Sequence, residues 1–162
     1  MTTTLEENTP APKFTAANQQ GKLVSLSDFL GKTVVLFFYS QDNSESCTAQ
    51  ACNIRDHYRE FKKKGVVMLG ISPDTVKSHF KFSNKYQLPY TLIADEDKTI
   101  ALAYKVYGEK LFFGKMITGI YRTTFVIDPS GIIRKIISKV KTKTHAMQIL
   151  AVLEELQTKV VD

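Results

Sequence analysis

Tryptophan is absent from this sequence of 162 residues, and cysteine occurs only twice. Two cysteines exclude a framework of several disulfides, and a chain of this length with 43% hydrophobic residues can bury a core without one. No apolar run approaches the roughly 20 residues that a membrane helix needs. The opening stretch MTTTLEENTPAPKF has two acidic residues and no apolar segment of the signal-peptide kind. We therefore predict a single domain over residues 1–162, with residues 1–12 as a loose tail, in the cytoplasm.

Charge of one sign is in moderate excess, with 22 Lys and Arg against 16 Asp and Glu and a net charge of +6. The positive charges are scattered, apart from the stretch RKIISKVKTKTH at residues 134–145. No recognised nucleic-acid module accompanies them, so we expect a solvated surface rather than a nucleic-acid site. We predict neither a bound metal nor a cofactor.

Hydrophobic patterning predicts an α/β fold. Runs of β-branched and aromatic residues at 33–39, 66–72 and 90–95 are typical of buried strands, and helical patterns follow them. Residues 122–137 predict two strands around a turn at 128–131. A last helix is expected from Thr144 to Lys159, with four residues facing inward: Met147, Leu150, Leu153 and Leu156. This order predicts a mixed central sheet with helices on both faces, and a thioredoxin-like architecture satisfies it.

The first cysteine, Cys47, follows a predicted buried strand and opens a predicted helix. In that helix Cys47 belongs to an apolar stripe with four further residues: Ala51, Ile54, Tyr58 and Phe61. The unpaired N–H groups and the positive end of the helix dipole lower a thiol pKa there and favour the nucleophilic thiolate. The alternative is that Cys47 serves as a small apolar residue of the core.

The second cysteine, Cys52, comes five residues later. In a regular helix the two Cα atoms would lie about 8.6 Å apart, whereas a disulfide generally needs less than about 7 Å. A metal site would require more ligands or a shorter spacing. The spacing therefore predicts a thiol pair that can bond only after the first turns of the helix unwind.

These residues resemble a known family. The segment FFYSQDNSESCTAQACNIRD is similar to the active-site segment of the peroxiredoxins, in particular the bacterioferritin comigratory protein group. Its signature is Pro-x-x-x-Thr-x-x-Cys, with a second cysteine five residues later. The segment GKMITGIYRTTFVID is similar to the strand that carries the family's active-site arginine, here Arg122. The resemblance implies that Cys47 is the peroxidatic cysteine, Cys52 the resolving cysteine, and Ser44 and Arg122 the stabilising groups.

The resemblance also implies a reaction and its partners. A hydroperoxide would oxidise Cys47 to a sulfenic acid, Cys52 would condense with it within the same chain, and thioredoxin or a similar dithiol would restore both thiols. We expect a monomer. Four positions depart from the family pattern: Ser40 stands where the proline is expected, Ser44 keeps the hydroxyl of the expected threonine, and Glu45 and Ser46 replace a Pro-Gly pair. We expect the carboxylate of Glu45 to raise the pKa of Cys47.

Two alternatives stay open. A thiol-disulfide oxidoreductase of the thioredoxin type would carry C-x-x-C, whereas this chain has C-x₄-C. A redox-sensing or chaperone-like thiol protein would be oxidised once without sustained turnover. His57, His79 and His145 fit no ligand pattern, and we interpret them as surface or helix residues rather than catalytic bases.

Overall fold

The computed structural model describes the backbone of residues 2–161 and the side chains of residues 2–157. Its strands are β1 (Thr15–Ala17), β2 (Leu23–Ser25), β3 (Val34–Phe38), β4 (Val67–Ser72), β5 (Thr91–Ala94), β6 (Tyr107–Phe112), β7 (Lys115–Ile120), β8 (Thr123–Ile127) and β9 (Ile133–Ile137). Its α-helices are α1 (Glu45–Asp56), α2 (Tyr58–Lys63), α3 (Val76–Tyr86), α4 (Thr99–Ala103) and α5 (His145–Val161). Short 3₁₀ turns cover Leu26–Phe29 and Thr142–Thr144.

A five-stranded sheet in the order β5–β4–β3–β8–β9 forms the centre of the fold. Strand β3 pairs in parallel with β4, and β4 pairs in parallel with β5. Strand β8 runs antiparallel to both β3 and β9. The predicted mixed sheet of thioredoxin-like type is confirmed.

Alternate residues of β3 enter two separate hydrophobic clusters, which explains why its sequence is apolar without interruption. Val35 and Phe37 pack with residues of α1, α2, α3 and α5 on one face. Leu36 and Phe38 pack on the other face, with residues of α4 and with buried residues at the base of the hairpin formed by β6 and β7. Helices therefore cover both faces, as predicted.

The predicted long helix after the first buried strand is divided. Helix α1 ends at Asp56 and α2 begins at Tyr58, with His57 between them at φ −109° and ψ 9°. The apolar stripe nevertheless continues across the break, because Ile54 and Phe61 are both fully buried in the same cluster.

The prediction for the face of α5 is partly wrong. Met147 was expected inward, but its side chain is 56% exposed. The buried apolar residues among the described side chains of this helix are Ala146, Ile149, Val152 and Leu153. Because successive helical residues differ by about 100°, a stripe through 146, 149 and 153 turns residue 147 toward solvent.

Residues 2–12, the described part of the expected loose tail, make ordered contacts. The backbone N–H of Asn8 donates to Ile133 O at 2.7 Å, and that of Ala11 donates to Gly131 O at 2.9 Å. Further toward the N-terminus, Thr3 Oγ1 donates to Tyr104 O at 2.7 Å. This segment therefore lies along β9 and the loop before it.

The sequence did not predict the antiparallel hairpin of β6 and β7. Its side chains alternate weakly, and most of them are exposed, with Phe113 at the tip 91% exposed. The hairpin leads into β8 and so positions Arg122, the residue immediately before that strand. Among the described residues, no helix is both long and apolar enough to cross a membrane.

Candidate active site

Cys47 lies in the first turn of helix α1. Ser44 is the N-cap in an extended conformation, and its Oγ accepts a hydrogen bond from the backbone N–H of Cys47 at 3.2 Å. A serine hydroxyl satisfies one of the N–H groups that a helix start leaves unpaired. Cys47 is only 1% exposed and faces the cluster between the sheet and α1. The sequence predicted this position from the strand and capping pattern.

Arg122 reaches this helix start from the residue before β8. Its guanidinium donates to Cys47 Sγ at 3.2 Å and to Ser46 Oγ at 3.2 Å. A second nitrogen of the guanidinium donates to Gln50 Oε1. The structure thus brings together three of the four predicted site residues, namely Ser44, Cys47 and Arg122.

The pKa of the Cys47 thiol is lowered. Burial by itself raises this pKa, but the charge of Arg122, the Ser44 hydroxyl and the backbone of Gln41 together outweigh it. We expected Glu45 to raise the pKa of Cys47, but the pKa is lowered, and Glu45 is not among the main groups that shift it. Glu45 is exposed to solvent, which screens its charge. The groups around Cys47 therefore favour its thiolate form.

Cys52 lies in the same helix in a different setting. Its side chain is partly buried, and burial raises the pKa of its thiol despite the nearby charge of Arg55. Both thiols are free, and α1 is continuous through both positions. This agrees with the prediction that an intact helix keeps the two sulfurs from bonding.

Sequence reasoning missed two polar residues near the contact between Arg122 and Cys47, namely Gln50 and Lys110. It named Ser40 only as a departure from the family proline. Gln50 is fully buried and accepts from Arg122, and its position three residues after Cys47 on the same helix face could have revealed it. Ser40 Oγ lies 3.8 Å from Cys47 Sγ. Lys110 on β6 is close enough to Arg122 and Cys47 to interact with their charges, and burial together with Arg122 lowers the pKa of its ammonium.

The histidine predictions need a correction. His79 and His145 lie in α3 and α5 as helix residues, but both are fully buried rather than at the surface. The side chain of His79 forms a group with Asp42 and Asp74, whose ligand-type atoms lie within 4.8 Å of one another. Hydrogen bonds within the protein already engage all three side chains, so we assign this group no metal.

Comparison with known proteins places this chain in a family. A model of the AhpC/TSA family matches residues 8–136. The chain belongs to this family. A putative peroxiredoxin bcp of Coxiella burnetii is 44% identical over 146 residues, which cover 90% of this chain and 97% of that protein. Peroxiredoxin Bcp of Escherichia coli K12 is 41% identical over 145 residues, covering 90% of this chain and 93% of that protein.

Solved structures of AhpC/TSA relatives agree. The bacterioferritin comigratory protein of Xanthomonas campestris, described for its alkyl peroxide reduction activity, matches with a TM-score of 0.85 at 33% identity. The match covers 94% of this chain and 98% of that one. The resemblance to the peroxiredoxins of this group is therefore confirmed, and membership supports a peroxidase function.

Proposed function

We propose that this protein reduces hydrogen peroxide and organic hydroperoxides with Cys47 as the peroxidatic residue. The contact of 3.2 Å between the Arg122 guanidinium and Cys47 Sγ carries the proposal, since it joins a cation to a buried thiol of lowered pKa. A thiolate at that position is a nucleophile at neutral pH.

In the proposed first step, the Cys47 thiolate attacks the terminal oxygen of the hydroperoxide. A sulfur–oxygen bond forms while the O–O bond breaks, so sulfur is oxidised and the peroxide is reduced. The leaving oxygen takes the electron pair and then a proton from solvent. Arg122 and the Ser44 hydroxyl stabilise the charge that moves onto this oxygen. The protein product is a sulfenic acid at Cys47.

In the second step, Cys52 attacks the sulfenic sulfur, and a disulfide and water form. Helix geometry requires α1 to unwind locally first, because residues five apart are too distant to bond in a regular helix. An external dithiol then restores both thiols by exchange. We propose thioredoxin for this role, a monomer as the working unit, and the cytoplasm, where such reductants act.

The deciding experiment is peroxide consumption coupled to thioredoxin, thioredoxin reductase and NADPH. The wild type is expected to turn over repeatedly and Cys47→Ser to be inactive. Cys52→Ser is expected to be oxidised at Cys47 but to stop after one equivalent. Activity that survives in Cys47→Ser but not in Cys52→Ser would reverse the roles. A wild type that consumes one equivalent and stops would favour a redox sensor over an enzyme.

The pairing of the two cysteines is tested on a non-reducing gel after one equivalent of peroxide. An intramolecular disulfide leaves a monomer band whose formation is independent of protein concentration. A dimer band that requires Cys52 would contradict the pairing within one chain and the unwinding that it needs.

A further inference from the structure

The loop between β3 and α1 is fixed to the body of the protein by Asp42. Its neighbours Gln41 and Asn43 are exposed, whereas Asp42 is 7% exposed. Asn43 takes a left-handed conformation with φ 66°, which turns the chain from Asp42 toward the helix start. The position of this loop therefore depends on what Asp42 binds.

The carboxylate of Asp42 accepts hydrogen bonds on both oxygens. The Tyr39 hydroxyl donates to Oδ1 at 2.7 Å, and the Ser78 hydroxyl donates to Oδ2 at 2.7 Å. His79 Nδ1 lies 2.8 Å from the same Oδ2. The backbone N–H of Asp42 donates to Asp74 Oδ2 at 2.8 Å, so main chain and side chain are both held.

His79 connects this carboxylate to the sheet. Its ring has no exposed surface, and its Nε2 lies 3.0 Å from Ile93 O in β5. Because a carbonyl oxygen can only accept, Nε2 carries a proton and donates it. The other ring nitrogen, Nδ1, faces Asp42 Oδ2, so the imidazole connects the loop to β5.

The loop held in this way supplies groups to the reactive thiol from both sides of Asp42. Ser40 Oγ lies 3.8 Å from Cys47 Sγ, and the backbone of Gln41 bonds the thiol and lowers its pKa. On the other side, Ser44 caps α1 and bonds the N–H of Cys47. These groups reach the thiol only while the loop keeps its position.

We propose that Asp42 and His79 form a positioning pair for the Cys47 site, which acts on peroxide chemistry without touching the peroxide. The proposal rests on the proposed function for its role in the reaction, but the pair's effect on the thiol can be measured separately. The sequence separation of 37 residues explains why no local pattern revealed it.

The test compares Asp42→Asn, His79→Gln and Ser78→Ala with Tyr104→Phe in the full chain. Tyr104→Phe is a matched control, because it removes a partly buried hydrogen bond of 2.7 Å to Pro12 O, made by a tyrosine of the cluster on the opposite face of the sheet. Two quantities are measured: the single-turnover rate of Cys47 oxidation by hydrogen peroxide, and the Cys47 pKa from the pH dependence of alkylation by iodoacetamide.

We expect Asp42→Asn and His79→Gln to slow oxidation by about tenfold or more, since a small misplacement of catalytic groups is costly. Both should raise the Cys47 pKa, and the double variant should add little to either single one because the two residues act together. Ser78→Ala removes one donor and should give a smaller change of the same sign. Tyr104→Phe should leave both quantities unchanged.

Folded Asp42→Asn and His79→Gln proteins with wild-type oxidation rate and Cys47 pKa would overturn the proposal. Equal changes in Tyr104→Phe would also overturn it, since they would reflect general destabilisation. If both variants fail to fold, Ser78→Ala decides by the same two measurements. A shifted thiol pKa in a protein that never consumes peroxide would refute the proposed function and leave the positioning pair standing.

Discussion

The two cysteines of α1 lie five residues apart, but the groups around their thiols differ. At Cys47, Arg122 donates to the thiol sulfur and Ser44 accepts from the backbone N–H of the same residue, and both groups lower the pKa of the thiol. At Cys52 the thiol itself has a raised pKa, and the surrounding bonds go to the helix backbone. Tyr90 OH donates to Ala51 O at 2.7 Å, one residue before Cys52.

This difference separates two chemical tasks along one helix. Groups at the first turn favour the reactive form of a thiol, whereas groups at the second turn hold the helix closed. The first set should control oxidation and the second set should control disulfide formation. A substitution in one set should therefore change one step more than the other.

The largest effect is expected from Arg122→Met. Removing a charged donor from the reacting atoms typically costs about 10²- to 10³-fold in rate, and the loss of its charge should raise the Cys47 pKa. Stopped-flow oxidation by hydrogen peroxide measures the rate. Arg122→Lys, which keeps the charge but not the forked geometry, should recover part of it. A wild-type rate in Arg122→Met would remove the arginine from the mechanism.

The pH dependence should separate the two thiols next. Because the thiolate is the nucleophile, the oxidation rate falls about tenfold per pH unit once the pH drops below the lowered pKa of Cys47. The pKa of Cys52 is raised, so disulfide formation should begin to slow at a higher pH than oxidation. Two-phase kinetics at a series of pH values measure both. A single shared midpoint would contradict the difference between the thiols.

Ser44→Ala should have an intermediate effect on oxidation. The change removes a hydroxyl that bonds the Cys47 site and caps α1, so the Cys47 pKa should rise and oxidation slow by about tenfold, as for other hydrogen bonds to charged groups. The lost cap should also lower the free energy of unfolding by about 1 kcal/mol. Ser44→Thr keeps the hydroxyl and is the matched control, and its oxidation rate should remain near that of the wild type.

The smallest effect is expected from Tyr90→Phe. It removes the bond to Ala51 O and should favour the unwound helix, which makes disulfide formation about two- to tenfold faster. Oxidation of Cys47 should not change, because Tyr90 does not touch that thiol. Quenched samples after one equivalent of peroxide measure the step, with Tyr104→Phe as control. Slower disulfide formation in Tyr90→Phe would mean that the tyrosine assists resolution rather than restraining it.

Local sequence signals predicted the sheet and the start of α1 well. The uninterrupted apolar run of β3 reports burial on two faces, and Ser44 before Cys47 reports a helix start, because both depend on neighbouring residues alone. The resemblance to a family supplied Arg122, and the structure brings it to Cys47 across 75 residues of sequence.

Features that depend on distant partners could not be predicted in this way. The helix pattern places Gln50 on the same face as Cys47, but its hydrogen bond to Arg122, 72 residues away, has no local signal. The tip of the β6–β7 hairpin is exposed on both faces and lacks the alternation that signals a strand. The prediction for Met147 was wrong because either of two adjacent apolar stripes of a helix can face the core. Only the packing of α5 against the rest of the protein decides between them.

The segment before β1 affects whether copies of this protein can associate through the edge of the central sheet. Strand β9 is at one end of the central sheet, where unpaired backbone groups can recruit a strand from another chain and start aggregation. Here Asn8 N donates to Ile133 O, Ile133 N donates to Thr9 O, and the Glu7 carboxylate accepts from Ile136 N. Pro10, which has no N–H, forms the bridge with Ile132. Residues 7–10 thus close an edge made by a strand that follows them by more than 120 positions, and during synthesis they stay unpaired until that strand has been made.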